Sequence, residues 1–440
     1  MAQRPRNVRH GALHALVLLA FAACGSTDPP GEVGAPVEAG GELRLPKTFS
    51  AVIEPTGPHA VLPTEGFGLA VAVSGARVAV ADFHDWEYAG LAFPHVDTFE
   101  LVGGVAVPAG KLPATGFAEH PCFGEAIALD GELLAIGEPC AAGGDGVVHS
   151  YAWDGRAWVE EPPLAPPAGA VGARFGATLA MAANRMVVGA PFAPAVVPGG
   201  AETWGVGAAY VFSRSGGGWQ PDTRLAPSDG LFGDTFGAAL GMEASRIAVA
   251  SPGRWNGDAA WNPLGPNGKV YVFELQGGSA WSEAAALVFA GGRPGEWIGR
   301  TLTLCSGAIF AGGDLQQWPA VHALRLGPGG WTEGDLDDPS LPGSCWVDDP
   351  SQPNNCRVDQ LACDGSLLVV GMPFANGWIG TARTYEKLGG AWRPKGEIAG
   401  AAAGDRAGHA VAVDGSVIAV GIPSAVVDGR AVGIVRVQRF

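Results

Sequence analysis

One short phrase is written seven times along this chain. Its clearest copy, FGATLAMAANRMVVGAP from Phe175 to Pro191, is an apolar run, a polar turn at Ala183-Asn184 and a second apolar run. FGLAVAVSGARVAVADF starts at Phe67, FGEAIALDGELLAIGEP at Phe123, FGAALGMEASRIAVASP at Phe236 and IGRTLTLCSGAIFAGGD at Ile298. RVDQLACDGSLLVVGMP and AGHAVAVDGSVIAVGIP follow from Arg357 and Ala407. Successive starts lie 56, 52, 61, 62, 59 and 50 residues apart, a period of propellers and solenoids rather than of independent domains. Small residues thirteen apart mark the register, as in Gly124/Gly137, Gly176/Gly189, Gly299/Gly312 and Gly408/Gly421; Val358/Gly371 breaks the first position.

Each copy reads as a hairpin whose strands are apolar on both faces, the pattern of strands buried on two sides. Its small residues suit an axis where sheets converge and backbones approach closely. Five copies are followed by a Val/Tyr/Phe strand, then a Gly-rich turn and a Trp that opens an outer strand: Trp158, Trp219, Trp281, Trp331 and Trp392. The expected fold is all-β, a seven-bladed β-propeller of four-stranded blades. Radial closure leaves few open sheet edges. The chain ends on a third strand, Gly433 to Phe440, so residues 47–53 should supply the missing outer strand. The ring would then be closed by pairing of the N- and C-terminal strands.

These residues resemble the FG-GAP repeat family, the propeller repeat of integrin α-subunits and of many bacterial surface proteins. The resemblance covers roughly residues 44–440, and its seven registered copies make it specific. Many family members carry a calcium loop of the Asp-x-Asp-x-Asp-Gly type in the hairpin turn. Here the turns offer at most one carboxylate, as in Asp130-Gly131, Asp364-Gly365 and Asp414-Gly415, too few for the six to eight oxygens calcium takes. No metal and no cofactor are expected.

Residues 1–23 read as a targeting segment, with Arg4, Arg6 and Arg9 before an apolar stretch too short to span a bilayer. Phe21-Ala22-Ala23-Cys24 resembles a bacterial lipobox, which would make Cys24 the lipidated mature N-terminus; Phe21 stands where an aliphatic residue is usual. Gly25 stands where an acidic residue would resemble an inner-membrane retention signal, so the expected address is the outer membrane, with plain secretion as the alternative. Residues 24–43 form a Pro/Gly-rich tether before the propeller at 44–440. The chain holds 27 basic and 43 acidic residues; residues 1–23 contain three of the former and none of the latter, so the remainder carries 24 against 43, a net charge of −19. So acidic a surface argues against nucleic acid and against adsorption to anionic lipid. The membrane would be reached through the N-terminal lipid alone, by a monomeric propeller.

Assigning Cys24 to lipid leaves six cysteines, an even number that suggests disulfides in an exported protein. Cys122 and Cys140 flank the second hairpin and should face each other across its open end. Cys345 and Cys356 bracket an insertion and would staple it. Cys305 and Cys363 fall at neighbouring turn positions of adjacent blades, where a bond and two free thiols suit the pattern equally.

Topology gives two faces. The hairpin turns lie at one end of the ring; the Phe-Gly starts, the Gly-Ala-Pro exits and the long connections lie at the other, where recognition residues concentrate on rigid scaffolds. That loop-rich face holds irregularly placed aromatics and acids: Asp82, His84, Asp85 and Trp86, then Trp204, Trp255, Trp261, Trp318 and Trp378. These are the candidate ligand-binding residues, for a protein or glycan ligand, although packing under the loops would also employ tryptophan. Asp82, His84, Asp85 and Glu87, with His95 nearby, form the one acidic stretch where metal or acid/base chemistry is conceivable. No Gly-x-Ser-x-Gly elbow, His-Glu-x-x-His or P-loop occurs. The expectation is a surface-tethered, non-enzymatic binding module; the alternatives are a glycan-active hydrolase or lyase on the same face and a structural part of an envelope assembly.

Overall fold

The computed structural model describes residues 48–55, 66–82, 94–114, 122–167, 170–196, 202–253, 268–289, 298–313, 321–336 and 358–440. All of them belong to the compact unit Leu43–Phe440. Seven four-stranded antiparallel sheets form the blades of a β-propeller. In blade 1 the chain runs outward through Phe67–Ser74, Arg77–Asp82, His95–Val102 and Val105–Pro113. Blades 2 to 6 repeat that order, their inner strands being Ala126–Asp130, Thr178–Ala182, Ala239–Glu243, Thr301–Cys305 and Gln360–Asp364. Blade 7 takes Ala410–Asp414, Val417–Ile422 and Ile434–Arg439 from the C-terminus and its outer strand, Phe49–Ile53, from the N-terminus. Phe49 lies opposite Arg439 and Ile53 opposite Val435, so both chain ends close the ring as the sequence predicts.

The core is divided by the blades. Seven apolar clusters each draw on two adjacent blades, one cluster at every junction. Ile53 belongs to the cluster joining blades 7 and 1, so closure buries side chains as well as pairing backbones. The tryptophans that open outer strands serve this packing: Trp219 and Trp392 are buried, beneath the cationic groups of Arg214 and Lys387. A bulge interrupts the third-to-outer strand pairing at the same place in blades 1, 3, 4 and 6, between Thr98/Phe99, Val211/Phe212, Val272/Phe273 and Thr384/Tyr385. Bulges raise local twist, which a blade needs to fan outward.

The small residues of the repeat have a more specific task than crowding at the axis. A Cβ on Gly137 would lie 2.0 Å from the Gly176 oxygen of the next blade, and one on Gly421 would lie 2.0 Å from that of Gly68. The close approach is therefore between neighbouring blades. The irregular Val358 fits the same rule, since its side chain lies 3.0 Å from where Gly312 would place a Cβ.

Two of the three candidate disulfides are present, the expected one and the one the pattern left open. Cys122–Cys140 closes the open end of the second hairpin, and Cys305–Cys363 joins blade 5 to blade 6. Cys24, Cys345 and Cys356 lie outside the described residues.

Candidate functional site: the loop-rich face

On this face the repeat brings acids and imidazoles together at blade ends. Asp82 ends the second strand of blade 1 and His95 opens the third, directly opposite in register. His95 Nε2 lies 3.4 Å from Asp82 and 3.7 Å from Asp97, which stands two residues on and therefore on the same side of the strand. From the outer strand, Lys111 Nζ lies 2.9 Å from His95 Nε2; an ammonium only donates, so this ring nitrogen accepts. Asp82 and Asp97 are each 1% exposed and His95 4%. The strand ladder thus gathers Asp82 and His95, adds Asp97 and Lys111, and folds all but the lysine into the protein. His84, Asp85, Trp86 and Glu87 lie outside the described residues, as do Trp255, Trp261, Trp318 and Trp346.

Blade 2 builds a second such cluster. His149 Nε2 lies 2.9 Å from Glu138, at the repeat position of Asp82, and Nδ1 lies 3.4 Å from Glu160. Burial works against a charged ring, but hydrogen bonds to Glu138 and Glu160, with their charges, outweigh it and hold His149 above its ordinary value near 6.5. In blade 5 His322 meets Glu333 at 3.0 Å. Beside blade 4, Asp229 accepts from Lys269 and from the Tyr271 hydroxyl, bonds that overcome burial and keep its carboxyl below the usual range. Among the described residues no group of three or more His, Cys, Asp or Glu is placed to hold a metal ion.

The aromatics divide differently. Trp378 stacks edge-on against Phe374 at 5.4 Å and lies under Arg406 at 5.5 Å, so it packs within its loop. Trp204 is 51% exposed. It lies in the connection between the second and third strands of blade 3, and a Cβ on Gly172 would be 3.7 Å from its ring. On its other side, a Cβ on Gly205 would be 3.7 Å from Gly233. Val171, beside Gly172, and Leu231 and Phe232, beside Gly233, are 58%, 46% and 52% exposed. The connections before, within and after blade 3 therefore place four exposed apolar residues on neighbouring backbone, an apolar strip of Val171, Trp204, Leu231 and Phe232.

The backbone beneath the strip is fixed by hydrogen bonds between blades. Phe175 N donates to Asp145 O at 2.9 Å, Thr235 N to Gly205 O at 3.0 Å and Phe236 N to Val206 O at 2.9 Å. Asp145 also accepts from Gly172 N at 2.7 Å, and Asp234 from Leu231 N at 2.7 Å. Sequence reasoning singled out Trp204 and missed its partners. The apolar pair Leu231-Phe232 within a Gly/Ser/Asp loop was the available signal.

At the centre of the ring the inner strands surround a cavity of about 180 Å³, with Glu125, Arg300 and Gln360 among its lining residues. Glu125 forms a 2.6 Å ion pair with Arg174; burial nonetheless raises its carboxyl against the pull of that arginine.

A family model described as FG-GAP repeat matches residues 158–212, from the outer strand of blade 2 into the third strand of blade 3. With the seven-bladed architecture, this match supports an FG-GAP propeller. No curated protein matches the chain.

Proposed function

We propose that this FG-GAP-type propeller is an exported, non-enzymatic binding module, anchored to the outer membrane by lipid on Cys24, that captures a protein or glycan on its loop-rich face. The observation that carries this reading is the strip of Val171, Trp204, Leu231 and Phe232. Four large apolar side chains, each exposed by more than two fifths, project from neighbouring loops locked to the ring. Contiguous exposed apolar surface rimmed by polar groups marks recognition sites, and an aromatic on a preorganised backbone loses little entropy on binding. Two disulfides support an oxidising compartment.

The test is a glycan and peptide array probed with the full chain, with and without calcium. Calcium-independent capture of one ligand class is expected. Trp204→Ala and Phe232→Ala should each weaken it by about 2 kcal/mol while leaving Tm unchanged. In cells, Cys24→Ser should release the chain from the membrane fraction. Undiminished capture by both aromatic variants would remove the strip from the binding surface. Turnover of a polysaccharide would favour the hydrolase reading instead, and a stable crosslinked envelope partner without any array ligand the structural one.

A further inference from the structure

A propeller closes its ring but leaves the outer strand of every blade with one edge turned away from the axis. Most of these edges are guarded. The outer strand of blade 1 carries Pro108, Pro113 and an exposed Lys111. That of blade 3, Gly218–Leu225, exposes Pro221 beside Asp222, and that of blade 6, Ala391–Ala399, exposes Pro394 beside Lys395. In blades 2, 5 and 7 the outer strands are short: three residues at Trp158–Glu160, six at Gly330–Asp335 and five at Phe49–Ile53. Proline, charge and brevity are the devices that keep a sheet edge from pairing with another chain.

Blade 4 uses none of them. Its outer strand, Ala280–Val288, is nine residues long without a proline, and it pairs along that length with the third strand, Lys269–Gln276. Exposure alternates strictly. The exposed row is Ala280, Ser282, Ala284, Ala286 and Val288, small and uncharged, with Val288 55% exposed. The one charge on the strand, Glu283, is drawn back onto the protein, where it accepts from Ser228 N at 3.1 Å and Ser228 Oγ at 2.7 Å. Trp281 packs into the cluster shared with blade 3, and Ala285 and Leu287 into the one shared with blade 5, so the strand is held from both sides while its edge stays open.

We infer that this edge is the docking surface for a second copy of the chain, the strand Ala280–Val288 pairing antiparallel with its own counterpart across a two-fold axis at Ala284. Nine residues of strand make a seam about 30 Å long. Alternate residues turn both N–H and C=O outward, so the seam forms about eight backbone hydrogen bonds, within the number carried by an interface of standard size. The occupant follows from the row itself. A charged strand finds no counter-charge there, whereas the chain's own strand matches it in length, has an open edge and brings no like charges together, although each copy carries a net charge of −16. Two-fold pairing uses both edges, so assembly stops at two. The strand runs from the hairpin-turn end of the blade towards the loop-rich end; antiparallel pairing therefore inverts one propeller against the other and points their loop-rich faces in opposite directions.

Sedimentation velocity of the full chain over a concentration series tests this. A species of two chains in exchange with single chains is expected. It should tighten with added salt, because the seam has no ion pair to lose while repulsion between two acidic copies is screened. Ser282→Lys combined with Ala286→Lys sets like charges opposite one another in the seam and should weaken the dimer about tenfold, with Tm at high dilution unchanged. Val105→Lys combined with Val107→Lys adds the same charge to the guarded edge of blade 1 and should leave the dimer intact. A chain that stays monomeric at every concentration, as expected from the sequence, would overturn the inference. So would association beyond two chains, a dimer that loosens with salt, or one indifferent to the lysines of blade 4.

Discussion

At His149 a single imidazole stands between two carboxylates from neighbouring strands, and each ring nitrogen faces one of them. Only the doubly protonated ring donates to both. A group whose fold raises its pKa stabilises the protein fully below its unfolded value near 6.5, and that stabilisation is lost as pH rises through the higher folded value. His149→Gln removes the charged ring's bonds to Glu138 and Glu160 and should cost about 2 kcal/mol in mildly acidic buffer. Thermal melts of variant and wild type should converge on the alkaline side. A deficit equal at every pH would mean that His149 acts through its packing on Phe123, 5.2 Å away. The partners of this imidazole were hidden in the sequence, because Glu138 and Glu160 lie eleven residues to either side and only strand register brings them to one ring. Asp82 and His95 were within reach of sequence reasoning; Asp97 and Lys111 joined them through the third and outer strands.

Between blades, one class of glycine does work that the hairpin repeat conceals. Gly146, Gly207, Gly268, Gly380 and Gly433 each precede a third strand with positive φ. At Gly207 a Cβ would lie 2.1 Å from the Phe236 oxygen of the next blade. Gly207→Ala combines left-handed strain with a backbone clash and should cost about 3 kcal/mol or more, read as a fall in Tm with the far-ultraviolet spectrum unchanged. Measured from the hairpin before them, these glycines stand at uneven offsets because loops of unequal length intervene. Measured forward they are regular: Gly146, Gly207 and Gly268 lie 29, 29 and 30 residues before Phe175, Phe236 and Ile298. The hairpins were legible because a strand buried on two sides leaves a dense apolar record. The junction glycines leave one residue each. The apolar strip was less legible still, since nothing in a single loop states which loops from other blades will lie beside it.

For the whole molecule, closure rests on one short strand. Phe49–Ile53 pairs along its full length with Ile434–Arg439, and Ile53 is 2% exposed. Ile53→Ala should therefore lower stability by about 2–5 kcal/mol, as at any well-packed interior site. Val52, 52% exposed on the same strand, provides the control: Val52→Ala should leave the melt unchanged. A small loss at Ile53 would show that the ring holds without its first strand. The closure was readable in the sequence because the last repeat lacks its fourth strand, a deficit visible by counting. It also sets the order of events during synthesis. Blade 7 joins the strand Phe49–Ile53 to three strands made about 360 residues later, so the ring stays open until those have been translated. Until then the first strand has an unsatisfied edge and the seam between blades 7 and 1 cannot form. A ring of this design locks only once the strand Ile434–Arg439 is available to the strand Phe49–Ile53.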